Sequence, residues 1–97
     1  MSQIRITSVD NELILIASQA GTSSVLCHLK GGNRAPVDFE FDPADVLDPG
    51  AYTLHILGIN WGGPASFQVE VSAGGPPQNF TYNGFDSCWS ESTMIHV

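Results

Sequence analysis

The chain has 97 residues, which is enough for one domain, and 42% of them are hydrophobic while only 13% are charged. Ten acidic residues against three bases give a net charge of −7. This balance argues against binding to nucleic acid or to an anionic membrane surface, because both depend on clusters of Lys and Arg. We therefore expect a single soluble domain over residues 1–97 that binds neither.

The amino-terminal residues and the cysteines give information about the cellular location of the protein. The opening MSQIRITSVDNE lacks the basic start and apolar stretch of a signal peptide, and no apolar run reaches the roughly 20 residues of a membrane span. We expect a protein that is cytoplasmic or exported by a signal-independent route. Two cysteines do not make a disulfide scaffold. The alternation around Cys27 predicts a buried thiol, and the sequence leaves open whether Cys27 and Cys88 are bonded.

Apolar residues recur mostly at every second position, which is the period of a β-strand. In chain order, strands are predicted at residues 3–9, 12–18, 23–29, 36–41, 51–59, 65–72, 78–83 and 89–97. Gly and Pro fall between these runs, where positive φ or a missing N–H is tolerated. Asp42 and Pro43 predict one helical turn at 42–47. The close strand spacing favours an all-β fold, a two-layer antiparallel β-sandwich of seven or eight strands with Ig-like character.

The alternation also assigns faces to the strands. One layer is predicted to receive the inward residues of three strands, namely Val37, Phe39, Phe41, Tyr52, Leu54, Ile56, Phe67, Val69 and Val71. Val25, Cys27 and Leu29 share a face. Residues 12–18 are apolar on both faces, which is typical of a strand that is covered on each side. Leu57 and Ile59 need a cover as well, and we expect the aromatic segment 78–97 to supply it.

The segment LDPGAYTLHILG at 47–58 carries a resemblance. A Leu and a Pro-Gly turn precede Tyr52 at the start of an inner strand, and this arrangement resembles the tyrosine corner of immunoglobulin-like and fibronectin type III-like domains. The resemblance covers about a dozen residues. It implies an Ig-like sandwich and transfers no function, since such sandwiches host many unrelated activities.

Alternate loops of an antiparallel protein lie at the same end, which gathers the loops around residues 10–11, 31–35, 60–64 and 84–87. Trp61 lies there among glycines, beside several polar residues. An indole with amide and carboxylate neighbours is suited to stacking on a sugar ring. We therefore predict a carbohydrate site formed by Trp61, Asn60, Asn33, Arg34 and Asp86. The competing interpretation is that Trp61 folds back over the rim of the sheet.

Other chemistry has weaker support in the sequence. Asp38, Glu40, Asp42, Asp45 and Asp48 form an acidic run that could offer oxygens to calcium, but strand alternation and the helical turn explain the same residues. The three histidines fall on separate predicted strands without the spacing of a zinc site. No nucleophile is placed on a sharp turn beside a base. We expect no enzymatic activity, no cofactor and no metal.

An alternative function is protein–protein interaction or assembly. The segment 78–97 holds Phe80, Tyr82, Phe85 and Trp89 with few charges. Residues 88–97 also lack the Lys or Pro that blunts natural sheet edges. Together with the half-apolar outer face at Leu57 and Ile59, the few charges along 88–97 predict that the chain self-associates through a sheet edge.

Overall fold

The protein is a β-sandwich, as the sequence predicts. The computed structural model describes residues 2–31 and 36–97, and these residues form eight strands that pack as two antiparallel four-stranded sheets. The strands are β1 Gln3–Ser8, β2 Asn11–Gln19, β3 Thr22–Gly31, β4 Pro36–Phe41, β5 Ala51–Ile59, β6 Ala65–Ser72, β7 Gln78–Gly84 and β8 Cys88–His96. Each lies within two residues of its predicted bounds, because turn residues and alternation mark both strand ends.

The chain passes repeatedly between the two sheets. Sheet 1 has the order β4-β1-β6-β7, and sheet 2 has the order β3-β2-β5-β8. Only β2–β3 and β6–β7 are consecutive strands that pair within one sheet; the other connections between described strands cross to the opposite sheet. The edge strands are therefore β4 and β7 in sheet 1 and β3 and β8 in sheet 2.

The core lies between the inner faces of the two sheets. The period-two pattern places it correctly on β5 and β6, where Tyr52, Leu54, Ile56, Phe67, Val69 and Val71 are all buried. It continues on β1 and β2 with Ile4, Ile6, Leu13 and Leu15, which are fully buried. At one side of the core, Phe67 stacks on Trp89 with ring centroids 5.7 Å apart. The alternation thus fixes which residues of each central strand face inward.

The face predictions on the edge strands have different outcomes, since that for Phe39 is confirmed and that for Val25 is wrong. Phe39 pairs in register with the buried Ile6, so it faces inward as predicted, but it stays 37% exposed because β4 has a neighbour on one side only. Val25 is 63% exposed. The β2–β3 register shifts between Leu15 and Ile16, which inserts Leu26 as a β-bulge and turns Val25 away from the face of Cys27.

The prediction that the C-terminal segment covers a second face is also wrong. Strand β8 pairs beside β5 in sheet 2, and β7 pairs beside β6 in sheet 1. Since every described strand belongs to one of the two sheets, none lies over the outer face of sheet 2. The second apolar side of β2, which the sequence suggested was covered, is this outer face.

The β4–β5 connection is built as the sequence predicts. The described helix is a single 3₁₀ turn, Pro43–Asp45, and the Asp42 carboxylate caps it by accepting from the Ala44 N–H at 2.9 Å. Tyr52 then donates its hydroxyl proton to the Asp48 carbonyl at 2.7 Å. This bond ties the β4–β5 connection to the start of β5. Within the described residues, no helix is long and apolar enough to span a membrane.

The two thiols are expected to differ in reactivity. Cys27 and Cys88 are free and lie on β3 and β8, opposite edges of sheet 2. Three strand spacings of about 4.8 Å separate them by roughly 14 Å, too far for a disulfide within the chain. Burial raises the pKa of the Cys27 thiol to about 11, whereas Cys88 is exposed. At pH 8 a disulfide reagent should titrate one thiol rapidly in the native protein and two in urea, and Cys88→Ser should abolish the fast phase.

Candidate functional site

Three loops meet at one end of the sandwich, as strand alternation predicts. The Asn11 amide donates to the Asn60 side-chain oxygen at 3.1 Å, which joins the β1–β2 turn to the β5–β6 loop. The Asn60 N–H donates to the Ser87 carbonyl at 2.9 Å, which adds the β7–β8 loop. We call this region the loop end. The β3–β4 residues Asn33 and Arg34, which were predicted to contribute, lie outside the described residues.

A buried carboxylate supports the loop end from beneath. Asp10 is fully buried, and its Oδ2 accepts from the Ser66 N–H at 2.8 Å. This bond fixes the β1–β2 turn against the start of β6. Asn11, the next residue, has a φ of +66°, a conformation that Asn tolerates better than most residues. The turn is therefore held both by its local conformation and by a hydrogen bond to β6 of sheet 1.

Asn60 is part of the loop framework. Only 6% of its surface is exposed. Its side-chain oxygen accepts from the Gly62 N–H at 3.1 Å as well as from Asn11, and its amide donates to the Gly63 carbonyl at 2.8 Å. With these bonds the side chain closes the β5–β6 loop on itself. It shapes the loop that carries Trp61 and does not project into solvent.

Trp61 projects from this loop and is 74% exposed, so it does not fold back into the core. Its indole N–H donates to Glu12 Oε2 on β2 at 2.8 Å. Gly63, two residues later, has a φ of +74°, which favours glycine at the return of the loop. The indole is thus anchored by one polar edge while most of its ring surface stays open to solvent.

Glu12 connects Trp61 to a histidine. Its second oxygen, Oε1, lies 2.8 Å from His28 Nε2, and Lys30 is its register partner on β3. The hydrogen bonds from His28 and Trp61 hold the pKa of the Glu12 carboxyl below its usual value. The carboxylate therefore remains ionised at pH values where a free glutamate begins to take up a proton. It is an acceptor beside an exposed aromatic ring.

Asp86 is exposed and lies in the β7–β8 loop. The next residue, Ser87, accepts from the Asn60 N–H through its carbonyl, just beyond the last β5–β8 pair of Ile59 and Cys88. The Asp86 N–H donates to the Tyr82 hydroxyl at 2.9 Å, so its backbone position is fixed. Of the predicted site residues, Asn60 and Trp61 share the β5–β6 loop, and Asp86 belongs to the β7–β8 loop that Asn60 contacts through Ser87.

A separate cleft of about 620 Å³ opens on the sheet 1 side of the loop end. Its lining includes Phe85, which is 77% exposed, together with Ser66 and Asn83. These residues follow or belong to sheet 1 strands, whereas Trp61 is bonded to sheet 2. The loop end therefore presents two exposed aromatic rings on different sides.

The sequence missed the Glu12–His28 pair and one Ser–His contact. Ser18 Oγ lies 2.9 Å from His55 Nε2, between β2 and β5. Both residues lie within strands, and neither is on a sharp turn that would present a nucleophile beside an oxyanion hole. Among the described residues, no three His, Cys, Asp or Glu side chains converge as metal ligands. The acidic residues Asp38 and Glu40 instead bond to Arg5 and Gln3.

Comparison of the chain with protein-family models, with curated proteins and with solved structures finds no match. Any functional conclusion therefore depends on the residues of the loop end and on the surfaces of the two sheets.

Proposed function

We propose that the protein is a non-catalytic recognition module that binds carbohydrate at the loop end, with Trp61 as the stacking platform. The observation that carries this proposal is an indole that is 74% exposed and yet fixed in orientation by its bond to Glu12. An anchored ring loses little conformational entropy when a ligand binds, so it is already organised for stacking.

The chemistry of the neighbouring groups supports a sugar ligand. A pyranose presents an apolar C–H face to an aromatic ring and hydroxyls around its rim. An ionised carboxylate has about four acceptor sites, and Glu12 uses two of them for Trp61 and His28. The remaining acceptor capacity is available to the hydroxyls of a ring that stacks on the indole. No metal and no nucleophile are required for this mode of binding.

The structure also revises the polar partners. The side chain of Asn60 is used in hydrogen bonds that hold the β5–β6 loop. We therefore propose Glu12 and His28, instead of Asn60, as polar groups that contact the ligand. Asp86 stays in the proposed site because it is exposed in a loop that is bonded to the Trp61 loop. Asn33 and Arg34 remain proposals from the sequence, since the described residues do not include them.

Trp61→Ala is expected to weaken binding at least tenfold, because the stacking surface is lost. The melting temperature should change little, since an exposed side chain contributes little to the core. The measurement is a fluorescence titration of the wild-type protein against a panel of glycans, followed by calorimetry of both proteins with the sugar that binds. Trp89 is buried, so a ligand-induced change in fluorescence reports mainly on Trp61.

Two further variants separate stacking from general damage. Trp61→Phe keeps an aromatic face and should retain part of the affinity, whereas Glu12→Gln keeps a similar shape but removes the charge and should weaken binding without unfolding. Asn79→Ser on exposed β7 is a matched surface control. If no glycan changes the fluorescence, or if Trp61→Ala melts far below the wild type, the carbohydrate proposal is wrong.

A second candidate function is association with another protein. The aromatic C-terminal surface expected from the sequence is mostly core, since Tyr82 and Trp89 stack on each other inside the sandwich. The edge strand β8 still lacks the residues that discourage pairing with another chain, because Cys88–His96 contains neither Lys nor Pro. The outer face of sheet 2 is a stronger reason to consider association.

A further inference from the structure

The outer face of sheet 2 has an apolar centre. Ile14 and Ile16 on β2 pair in register with Leu57 and His55 on β5, and their side chains point away from the core because their neighbours along each strand are buried. The central apolar residues are Ile14, Ile16, Leu57 and Ile59, with Val25 beside Ile16 on β3. Small polar residues surround them, namely Ser18, Ser23, Thr53, Ser90 and Ser92. An apolar centre with a polar rim is the arrangement found in protein interfaces.

Charge is distributed unevenly between the two outer faces. The outer face of sheet 1 carries Asp38, Glu40 and Glu70 against Arg5. The sheet 2 face carries Glu12 and Lys30, which are register partners in the row nearest the loop end, and Glu91 beside its β8 edge. Two copies of a chain with a net charge of −7 repel each other through sheet 1 more than through sheet 2.

The outer face of sheet 2 also has a projection and a hollow that could fit each other in two copies. Val25 projects at the β3 side and is 63% exposed. A hollow of about 350 Å³ lies at the β8 side, lined by His55, Leu57, Ser90, Glu91 and Ser92. Val25, Ile16, His55 and Ser92 form one row across the sheet in the strand register. The projection and the hollow therefore lie at the same level along the strands.

The geometry points to a dimer of this chain, formed by packing the outer faces of sheet 2 about a two-fold axis that runs parallel to the strands between β2 and β5. This axis exchanges the positions of β3 and β8 and keeps each row at its own level. Val25 of each copy then lies over the hollow of the other, and Ile14 lies over Leu57. Both loop ends point the same way, so a dimer would present two Trp61 residues on one side.

The size of the face sets the expected affinity. Strands β2, β5 and β8 have nine residues each, which corresponds to about 30 Å in length, and four strands are about 19 Å wide. The projected area is therefore roughly 600 Å² per copy and roughly 1,200 Å² in total, which lies at the lower limit of stable interfaces. A reversible dimer is expected, with dissociation in the micromolar range.

The test is sedimentation equilibrium of the wild type and two interface variants from about 1 µM to about 1 mM. The wild type should approach twice the chain mass of 10.4 kDa at high concentration. Ile16→Lys places a charge in the apolar centre and should leave only monomer. Val25→Lys should weaken the dimer at least tenfold, and its exposure on an edge strand makes it tolerable for the fold. Far-ultraviolet circular dichroism checks that each variant is folded.

Gln68→Lys is the matched control, since Gln68 lies on the outer face of sheet 1 between Phe67 and Val69. It adds the same charge and should leave association unchanged or slightly favour it. A wild type that stays monomeric at about 1 mM overturns the proposal. An association that survives Val25→Lys in a folded protein also overturns it and assigns the contact to the β8 edge. If the chain forms complexes only with an added, different protein, the face has another partner and the dimer proposal is rejected.

Discussion

Phe67→Ala is expected to lower the free energy of unfolding by about 3–5 kcal/mol. Phe67 is 1% exposed and lies between the two sheets, with its ring centroid 5.7 Å from that of Trp89 and 6.4 Å from that of Tyr82. Removing the ring leaves a cavity whose aromatic walls cannot collapse without breaking the stack. For a domain of this size, the loss should lower the melting temperature by more than about 12 °C. Urea unfolding followed by circular dichroism measures it.

Phe39→Ala provides the matched control, because the same side chain is removed from an inward position on an edge strand. Phe39 is 37% exposed and its main aromatic contact is Phe41, at a centroid distance of 5.7 Å. Its removal should cost less than half as much as the loss of Phe67, since part of its surface is already in water. Equal costs for the two variants would mean that β4 is covered more completely than the described residues show.

The strands themselves could be predicted because each turn is marked by Gly or Pro and each central strand alternates. Strand β6 shows this well, since Phe67, Val69 and Val71 alternate with Gln68 and Glu70. The bulge at Leu26 could not be predicted, because alternation assumes a constant register and a bulge inserts one residue without a sequence mark of its own. The exposure of Val25 follows from that single insertion.

The order of the strands in each sheet could not be predicted from the sequence, for a different reason. Alternation shows which side of a strand is apolar, but it does not show what covers that side. The second apolar face of β2 predicted a covering layer, and the C-terminal segment was the remaining candidate. Pairing of β8 beside β5 leaves that face open instead. An apolar outer face that no strand of the same copy covers is expected if that face forms the proposed dimer interface.

The candidate site was partly predictable. Two strands, β6 and β7, lie between the loop of Trp61 and the loop of Asp86, so both loops are predicted at the same end of the sandwich. The glycines around Trp61 predict that its side chain is exposed. Glu12 and His28 were missed because their place beside the indole depends on the pairing of β2 with β3 and β5. No local motif encodes that pairing. Asn60 was assigned to the ligand because sequence does not distinguish an amide that closes its own loop from one that faces solvent.

Gly58→Val is expected to destabilise the protein by about 1–3 kcal/mol, although Val favours strands. Gly58 is buried on β5 beside the aromatic stack, and a Cβ at this position would lie 2.9 Å from Cε2 and Cζ of Phe67. The ring cannot retreat, because Trp89 packs against it. Gly75→Val is the control: a Cβ there meets no atom within 4 Å, so its unfolding free energy should stay within about 0.5 kcal/mol of the wild type.

The double variant Gly58→Val/Phe67→Ala decides whether the clash is the cause. Each change alone destabilises, the first by crowding the ring and the second by leaving its volume empty. Together they are complementary, because the methyl groups of the introduced valine occupy part of the space that the ring vacates. The combined loss should therefore be smaller than the sum of the two single losses by more than about 1 kcal/mol, as residues that share a cavity are coupled. Strict additivity in urea unfolding would show that Gly58 is required for its backbone alone.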